Sequence, residues 1–272
     1  MPASDADKNF HGSIAKLYDT VLVPLIFEPY AADLARRLSG LSVSRVLEIA
    51  AGTGAVTRAL AAALPPSVAI VATDLNQAML DQAQAVGTAR PVEWRQADAM
   101  QLPFGDDTFD AVVCQFGVMF FPDKPKGFSE ARRVLRSGGV FIFSVWDRIE
   151  ENEFADIITR AMAALFPGDP PRFLARTPHG YHDRDAVRRD LTAGGFAAAP
   201  PIDTVAARSR AASPDIPAVA YCQGTPLRNE IEARAPGKLA EATAAASRAI
   251  AARFGSGAVD GKISAHVVAV KK

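Results

Sequence analysis

The chain has 272 residues, 49% of them hydrophobic, and its 30 lysines and arginines balance 30 aspartates and glutamates. That length and apolar content support one large globular unit with a substantial core, while a formal charge of zero argues against a broad nucleic-acid surface or an anionic membrane patch. Two cysteines, Cys114 and Cys222, form no disulfide framework, the polar start has no apolar signal core, and no run approaches the roughly 20 apolar residues that cross a bilayer, so a cytoplasmic protein without a membrane span is expected.

In chain order, "SRVLEIA" (44–50) predicts a buried strand, a short apolar run bounded by turn residues. "AVTRALAAAL" predicts a helix that ends before Pro65-Pro66. "VAIVATD" is a second strand, and "NQAMLDQAQAV" a second helix with Asn76 near its start. "VEWRQAD" is a third strand. The turn "GDDT" introduces a fourth, "FDAVVCQFGV". "PKGFSEARRVL" is a helix closed by Ser137-Gly138-Gly139, and "GGVFIFSVWD" a fifth strand. The paired arginines Arg36-Arg37, Arg132-Arg133 and Arg188-Arg189 fall in helical segments and read as solvated faces.

Repeated strand–helix units with continuous apolar strands imply an α/β fold, a doubly wound, mostly parallel sheet covered by helices on both faces. Ligands of such sheets bind beyond the carboxyl ends of the strands, so the loops after residues 49, 73, 97 and 114 are expected to meet at one cleft. The second half differs. "EFADIITRAMAALF" predicts a helix, the proline-rich "PGDPPRF" and "TPHGYHD" are loops, and "DRDAVRRDLTAGGF" is a helix capped by Asp183 and ended by Gly194-Gly195. "PIDTVAARSRA" and "ISAHVVAVKK" are strands. Between them, residues 214–254 read as helices, one capped by Thr225 with Pro226 in its first turn, and form a cap over the cleft. Residues 1–147 are thus the binding core, and 148–272 supply the rest of the sheet and a variable cap within the same unit.

Gly52 and Gly54 follow the first strand. Glycine permits a tight turn and close approach of a ligand to the backbone. A dinucleotide fingerprint needs a third Gly or Ala three residues after Gly54, where this chain has Thr57. A phosphate loop needs a lysine, and none lies between residues 17 and 123. Glu48, beside the loop, disfavours an anion and suits a ligand with cationic groups. Asp74 ends the second strand, where a carboxylate can accept both hydroxyls of a ribose. Asp98 ends the third strand, within reach of an adenine amino group. Acids at three successive strand ends describe a pocket for a nucleoside with a positive tail, as in S-adenosylmethionine.

"VLEIAAGTG", "ATDLNQAML", "ADAMQLPFGDDTFDAVVC" and "EARRVLRSGGVFIFS" together resemble the class I S-adenosylmethionine-dependent methyltransferases, the branch that includes the ubiquinone and menaquinone biosynthesis enzymes. The resemblance covers about residues 10–147 and implies a Rossmann-like, seven-stranded sheet whose last strand, "ISAHVVAVKK", is inserted antiparallel beside "FIFSVW". It also implies roles. The backbone at Ala50, Gly52 and Gly54 lines the methionine part of S-adenosylmethionine, with Glu48 supporting the loop. Asp74 holds the ribose, Leu75 and Met79 pack on the adenine, Asp98 and Ala99 hold its edge, and Gln115 lies near the methionine tail. "FHGSIAKLYD" resembles the helix that closes over the cofactor, with Tyr18 either facing the site or packing in the core. The chain has Cys114-Gln115-Phe116-Gly117 where base-methylating enzymes carry an Asp/Asn-Pro-Pro-aromatic motif, which argues against DNA as a substrate.

The expected activity is methyl transfer to a small, apolar or aromatic metabolite. Transfer from a sulfonium mainly needs alignment and desolvation, so a base is optional. "HGYHD" offers His179, Tyr181 and His182; His182, with Tyr18, is taken as a catalytic candidate, against a plain polar loop as the alternative. No metal ligand set is expected. Phe116, Phe120, Phe121, Trp146 and Tyr221 line an apolar substrate pocket or pack in the core, the latter being the simpler reading for most. Two rivals stay open: a cofactor-binding protein without transferase activity, and a nicotinamide oxidoreductase.

Overall fold

Seven strands in the order β3-β2-β1-β4-β5-β7-β6 form one sheet in the computed structural model, which describes residues 13–196 and 200–272. Phe10, His11 and Gly12 of the N-terminal motif lie outside the described residues. β1 (Arg45–Ile49), β2 (Ala69–Asp74), β3 (Glu93–Gln96), β4 (Phe109–Gln115) and β5 (Leu135–Trp146) run parallel. β7 (Val259–Lys271) is antiparallel to both β5 and β6 (Ile202–Ala211), so among the described residues it is the one reversed strand of the sheet. This is the Rossmann-like, seven-stranded sheet that the family resemblance implies, with the last strand antiparallel beside β5.

The central strands β1, β2, β4 and β5 are largely apolar because both of their faces are covered. Side chains alternate across the sheet. Val46 of β1 points to one face and packs there with Leu34 and Leu38 of α2 (Glu28–Ser39) and Val56 and Leu60 of α3 (Ala55–Ala63). Leu47 and Ile49 point to the other and share a core with Phe128 and Val134 of α5 (Lys124–Val134) and with the cap. α4 (Gln77–Val86) connects β2 to the edge strand β3, which is mostly exposed.

The N-terminal helix is continuous but not uniform. α1 (Ser13–Leu17) runs into a π-helical stretch, Tyr18–Phe27, before α2 begins. The wider turn accommodates Pro24 and buries Leu22, Val23, Leu25, Ile26 and Phe27. Such local widening recurs at functional sites. Asp19 in this stretch accepts from Arg58 of α3 at 2.9 Å, and Arg58 also donates to the Thr53 carbonyl at 2.7 Å, so the segment is latched to the glycine loop.

Two local expectations change. The helix before β5 ends at Val134, and Leu135 already pairs with Phe109; the register then shifts, so Arg136–Gly139 forms a bulge rather than a simple helix stop. The arginine pairs are not all solvated faces. Arg133 donates to Glu130, Asp106 and the Leu102 and Phe104 carbonyls, while Glu130 accepts from the Leu102 amide at 2.9 Å. That network pins the loop between β3 and β4, and the Arg133 guanidinium holds the Glu130 carboxyl down at about 2. Arg37 likewise ties α2 to Asp203 of β6 at 2.7 Å.

After β5 the chain leaves the sheet. α6 (Glu153–Leu165), the short α7 (Phe173–Arg176) and α8 (Arg184–Ala193, capped by the Asp183 side chain) precede β6. α9 (Asp215–Gln223), α10 (Leu227–Arg234) and α11 (Leu239–Phe254) precede β7. α9 packs on the π-helical stretch and on α11, which in turn packs on α6. The cap and the N-terminal segment thereby close over the same end of the sheet.

Candidate active site

The turns after β1, β2, β3 and β4 converge on one cavity of about 910 Å³ with its open mouth included, at the carboxyl ends of the strands. Two turns adopt left-handed backbone without glycine: Ala50 at φ 55° and Phe116 at φ 52°. Such conformations cost about 1–3 kcal/mol each and cluster where function dictates the backbone. They meet at Gly117, where an added Cβ would lie 2.5 Å from the Ala50 Cβ and 2.7 Å from the Cys114 Sγ. Only a glycine lets the first and fourth turns touch.

Glu48 is 1% exposed and lies behind the glycine loop, against a smaller recess it shares with Ala50, Gly52 and Gln115. Thr57, the residue that breaks the dinucleotide fingerprint, donates its hydroxyl to Glu48 Oε2 at 2.6 Å. Burial pushes the Glu48 carboxyl up to about 8, with the Thr57 bond opposing and the nearby Asp74 adding to the rise. Asp74 is buried on the cavity wall. Its Oδ2 accepts from the Gly52 amide and its Oδ1 from the Asn76 amide, both at 2.8 Å. Burial raises its pKa against these bonds. Each oxygen keeps a further lone pair for a ligand.

Ala50, Gly52, Leu75, Met79, Asp98, Ala99 and Gln115 all line the same cavity. Gly52, at φ 56°, faces Met79, whose Cε would lie 3.7 Å from an added Cβ. Leu75 is 46% exposed at the rim. Asp98 is exposed and accepts from the Met100 amide at 2.8 Å. The Gln115 amide nitrogen donates to the Phe27 carbonyl at 3.4 Å, and its Oε1 is buried with no partner among the described residues. Gly54 stands apart from this group. It is the left-handed residue before α3, with Trp94 and Ala83 so near that a Cβ would sit 3.1 and 3.2 Å from them. A side chain there would press on Trp94 of β3 and Ala83 of α4.

A second cavity, about 570 Å³ with its mouth, adjoins the first and shares Tyr18, Phe116 and Phe120 with it. Tyr18, half-buried, stacks on Phe27 with centroids 5.1 Å apart, and burial drives its phenol pKa upward. Phe116 lies flat on Trp146, 3.8 Å between centroids and 2° between planes. Phe116, Phe120, Trp146 and Tyr221, expected mainly as core, also wall this cavity, together with Phe173. Phe121 lines the first cavity instead.

Of the "HGYHD" residues, His179 reaches this second cavity and His182 does not. His182 is exposed, lines neither cavity, and its Nδ1 meets the His179 carbonyl at 2.7 Å. His179 is buried, with Nδ1 2.9 Å from the Asp147 carbonyl. Tyr181 donates to Asp190 at 2.7 Å, away from the cavity. The sequence signal for His179 was present in the motif, but an irregular loop has no periodicity to say which histidine turns inward. Cys114 and Cys222 are buried with thiol pKa values pushed upward by burial. Among the described residues no three His, Cys, Asp or Glu gather as a metal site, and no helix is long and apolar enough to cross a membrane.

Residues 47–143 match the family model described as a methyltransferase domain. Across 207 residues the chain is 28% identical to the ubiquinone/menaquinone biosynthesis C-methyltransferase UbiE of Saccharophagus degradans, covering 69% of this chain and 82% of that one. It is 30% identical over 173 residues to the UbiE of Pseudomonas aeruginosa strain LESB58, covering 58% and 68%. Among solved structures, a protein from Bacillus halodurans C-125 superimposes with a TM-score of 0.56 at 20% identity, over 89% of this chain and 98% of that one.

Proposed function

This chain belongs to the class I S-adenosylmethionine-dependent methyltransferases, and from that premise we propose that it binds S-adenosylmethionine in the larger cavity and methylates a small, largely apolar molecule held in the aromatic one. When bound, the cofactor supplies a methyl group on a positively charged sulfur, which a nucleophile takes in a single displacement. The residues fit such a group. Asp74 offers its remaining lone pairs to the ribose hydroxyls. The orphaned Gln115 Oε1 accepts from a donor such as the ammonium of the methionine tail, relieving the cost of a buried, unpaired acceptor. Leu75 and Met79 give the adenine apolar faces, and Asp98 and Ala99 its edge. Glu48 stiffens the loop through Thr57 rather than meeting the ligand directly.

The observation that carries the reading is the pairing of cavities. One is edged by carboxylates and backbone, the other is aromatic, and Tyr18, Phe116 and Phe120 stand at their boundary. A hydrophobic acceptor and a charged donor need such separate surroundings and one shared border. The aromatic walls exclude water from the acceptor side, and alignment supplies most of what the reaction needs. The test is calorimetric titration with S-adenosylmethionine and, separately, NAD(P), followed by release of S-adenosylhomocysteine with small aromatic acceptors. Micromolar binding of S-adenosylmethionine with turnover is expected. NAD(P) binding alone would overturn the cofactor, and binding without turnover across the acceptor panel would leave a cofactor-binding protein.

A further inference from the structure

The π-helical stretch Tyr18–Phe27 roofs both cavities. Tyr18 lines each of them and the recess behind the glycine loop, and Phe27, stacked on it, lines the aromatic cavity and that recess. Both ends of the stretch are tied to elements that build the larger cavity. At the far end the Phe27 carbonyl accepts from Gln115 at the tip of β4. At the near end the tie is Asp19, which reaches two helices at once. Its Oδ1 accepts from Arg58 of α3 at 2.9 Å, and its Oδ2 from the Gln82 side-chain nitrogen of α4 at 3.4 Å. Arg58 gives a second N–H to the Thr53 carbonyl, inside the glycine loop, at 2.7 Å. The Asp19 side chain is 8% exposed and that of Arg58 28%, so the pair is partly shielded from the water and salt that weaken surface ion pairs. On its other side the stretch shares an apolar core with Ala218, Ala220 and Tyr221 of α9. Apolar contact has no preferred direction, whereas a charge-assisted hydrogen bond has one. The pair at Asp19 therefore fixes where the roof sits on the glycine loop.

We propose that the Asp19–Arg58 pair is a latch that sets how fast the cofactor enters and leaves, by holding the Tyr18 roof shut over the glycine loop. The inference rests on the methyltransferase reading and adds to it a gate with named residues. Neither Asp19 nor Arg58 lines the cavities or the recess, so the latch acts through the roof and not through the ligand. Lifting the roof separates two partly buried charges and leaves each without its partner, which is costly. Because the pair is made between protein groups, that cost falls on the free and the filled protein alike. It slows passage in both directions and adds little to affinity. Both cavities lie under the one roof, so a shut latch keeps water from the methyl donor and the acceptor together.

S-adenosylhomocysteine is the probe, since it binds without a methyl group to give. Its association and dissociation rates on the immobilised full chain are read by surface plasmon resonance, with unfolding midpoints measured alongside. Asp19→Asn and Arg58→Gln should each raise both rates about tenfold, the scale of one charge-assisted hydrogen bond, while the Kd stays within about threefold of the wild type. The double variant should be no faster than either single one, because the second change removes a partner from a bond already lost. Asp19→Glu, which keeps the charge, should stay near the wild-type rates. Amide hydrogen exchange across residues 18–27 should rise in the two single variants. If one of them does not fold, the other carries the test. Unchanged rates in the single variants overturn the latch, and so does a weaker Kd reached through dissociation alone, which would make the pair a support of the bound state. If the wild type binds neither S-adenosylhomocysteine nor S-adenosylmethionine, the methyltransferase reading falls and the gate with it; if it binds and the rates stand still, only the latch falls.

Discussion

The two cavities share three residues and are built in opposite ways. The larger one is made of backbone turns and carboxylates, each one step beyond a strand, all within residues 49–122 apart from Tyr18. The aromatic one draws on the N-terminal π-helical stretch, the turn after β4, the end of β5, the α7 region and the start of α10, separated by long stretches of chain. The first is fixed by the sheet itself, since a parallel strand must end somewhere and its tip must turn. The second exists only when the cap docks. A perturbation at the shared border should therefore damage both, and one placed deeper should damage only its own side.

Gly117→Val is the border test and carries the largest expected effect. A side chain there collides with Ala50 and Cys114, both held by buried strands that cannot give way. Overpacking of this kind costs about 3 kcal/mol or more. Denaturant unfolding should show that loss, and titration should show S-adenosylmethionine binding gone. A folded, binding-competent variant would mean that the two turns need not touch.

The second test separates the sides by pH. Glu48 has its folded pKa raised to about 8, so the native state keeps a proton that the unfolded chain releases above its ordinary value of 4.5. Stability from this group is greatest at low pH and falls as pH climbs from about 5 through 8. His179 is depressed to about 4 from 6.5, so the unfolded chain takes up a proton that the fold refuses, and stability falls as pH drops from about 6.5 through 4. Each limb is worth a few kcal/mol, since every pH unit separating the folded and unfolded pKa values contributes about 1.4 kcal/mol. The two slopes oppose and nearly cancel between about pH 4.5 and 6.5, and the net profile of unfolding free energy falls from there towards pH 8; Glu48→Gln should leave a profile that falls only on the acid side of about pH 6.5, and His179→Asn one that falls steadily from about pH 5 through 8. Limbs that respond to the wrong variant would break the assignment of each group to its side.

This asymmetry also explains what the sequence could say. The first five strands and the carboxylates Asp74 and Asp98 at their tips were legible because short apolar runs followed by acids or glycines repeat a local pattern, whereas the place of the last strand and of Gln115 came only from the family resemblance. Thr57 was legible only as a missing glycine; its bond to Glu48 is a contact across nine residues with no periodic mark. Gly54 reads like a ligand-facing glycine, while its near neighbours are Trp94 and Ala83, and a glycine in a sequence looks the same whichever way its turn faces. The cap side was nearly opaque. Leu22–Phe27 is apolar whether it coils as an α- or a π-helix, and Pro24 alone hints at the irregularity. An aromatic residue that lines a cavity and one that fills a core are chosen by the same hydrophobic pressure, so Phe120 and Tyr221 carried no distinguishing signal.

Asp74→Ala comes next in size and should act on the cofactor side alone. It removes the acceptor that holds the Gly52 and Asn76 amides and leaves ribose hydroxyls without a partner. S-adenosylmethionine affinity should fall by about 1–3 kcal/mol, the range for stranding buried polar groups. Binding of a small aromatic molecule in the aromatic cavity should not move. If affinity is unchanged, Asp74 leaves the proposed site.

Leu75→Ser is the finest division between folding and binding. Leu75 is 46% exposed at the cavity rim, in a chain whose other strand and helix leucines are mostly buried. An exposed side chain contributes little to the fold, so the unfolding midpoint should stay within the scatter of surface substitutions, about 0.5 kcal/mol. An adenine laid against it would remove a few tens of Å² of apolar surface from water, worth roughly 1 kcal/mol at about 25 cal/mol per Å². The expected result is a S-adenosylmethionine Kd raised about fivefold with the fold untouched, the reverse of what a core leucine such as Leu60 would give. Loss of stability without loss of affinity would return Leu75 to the core and move the adenine to another wall of the cavity.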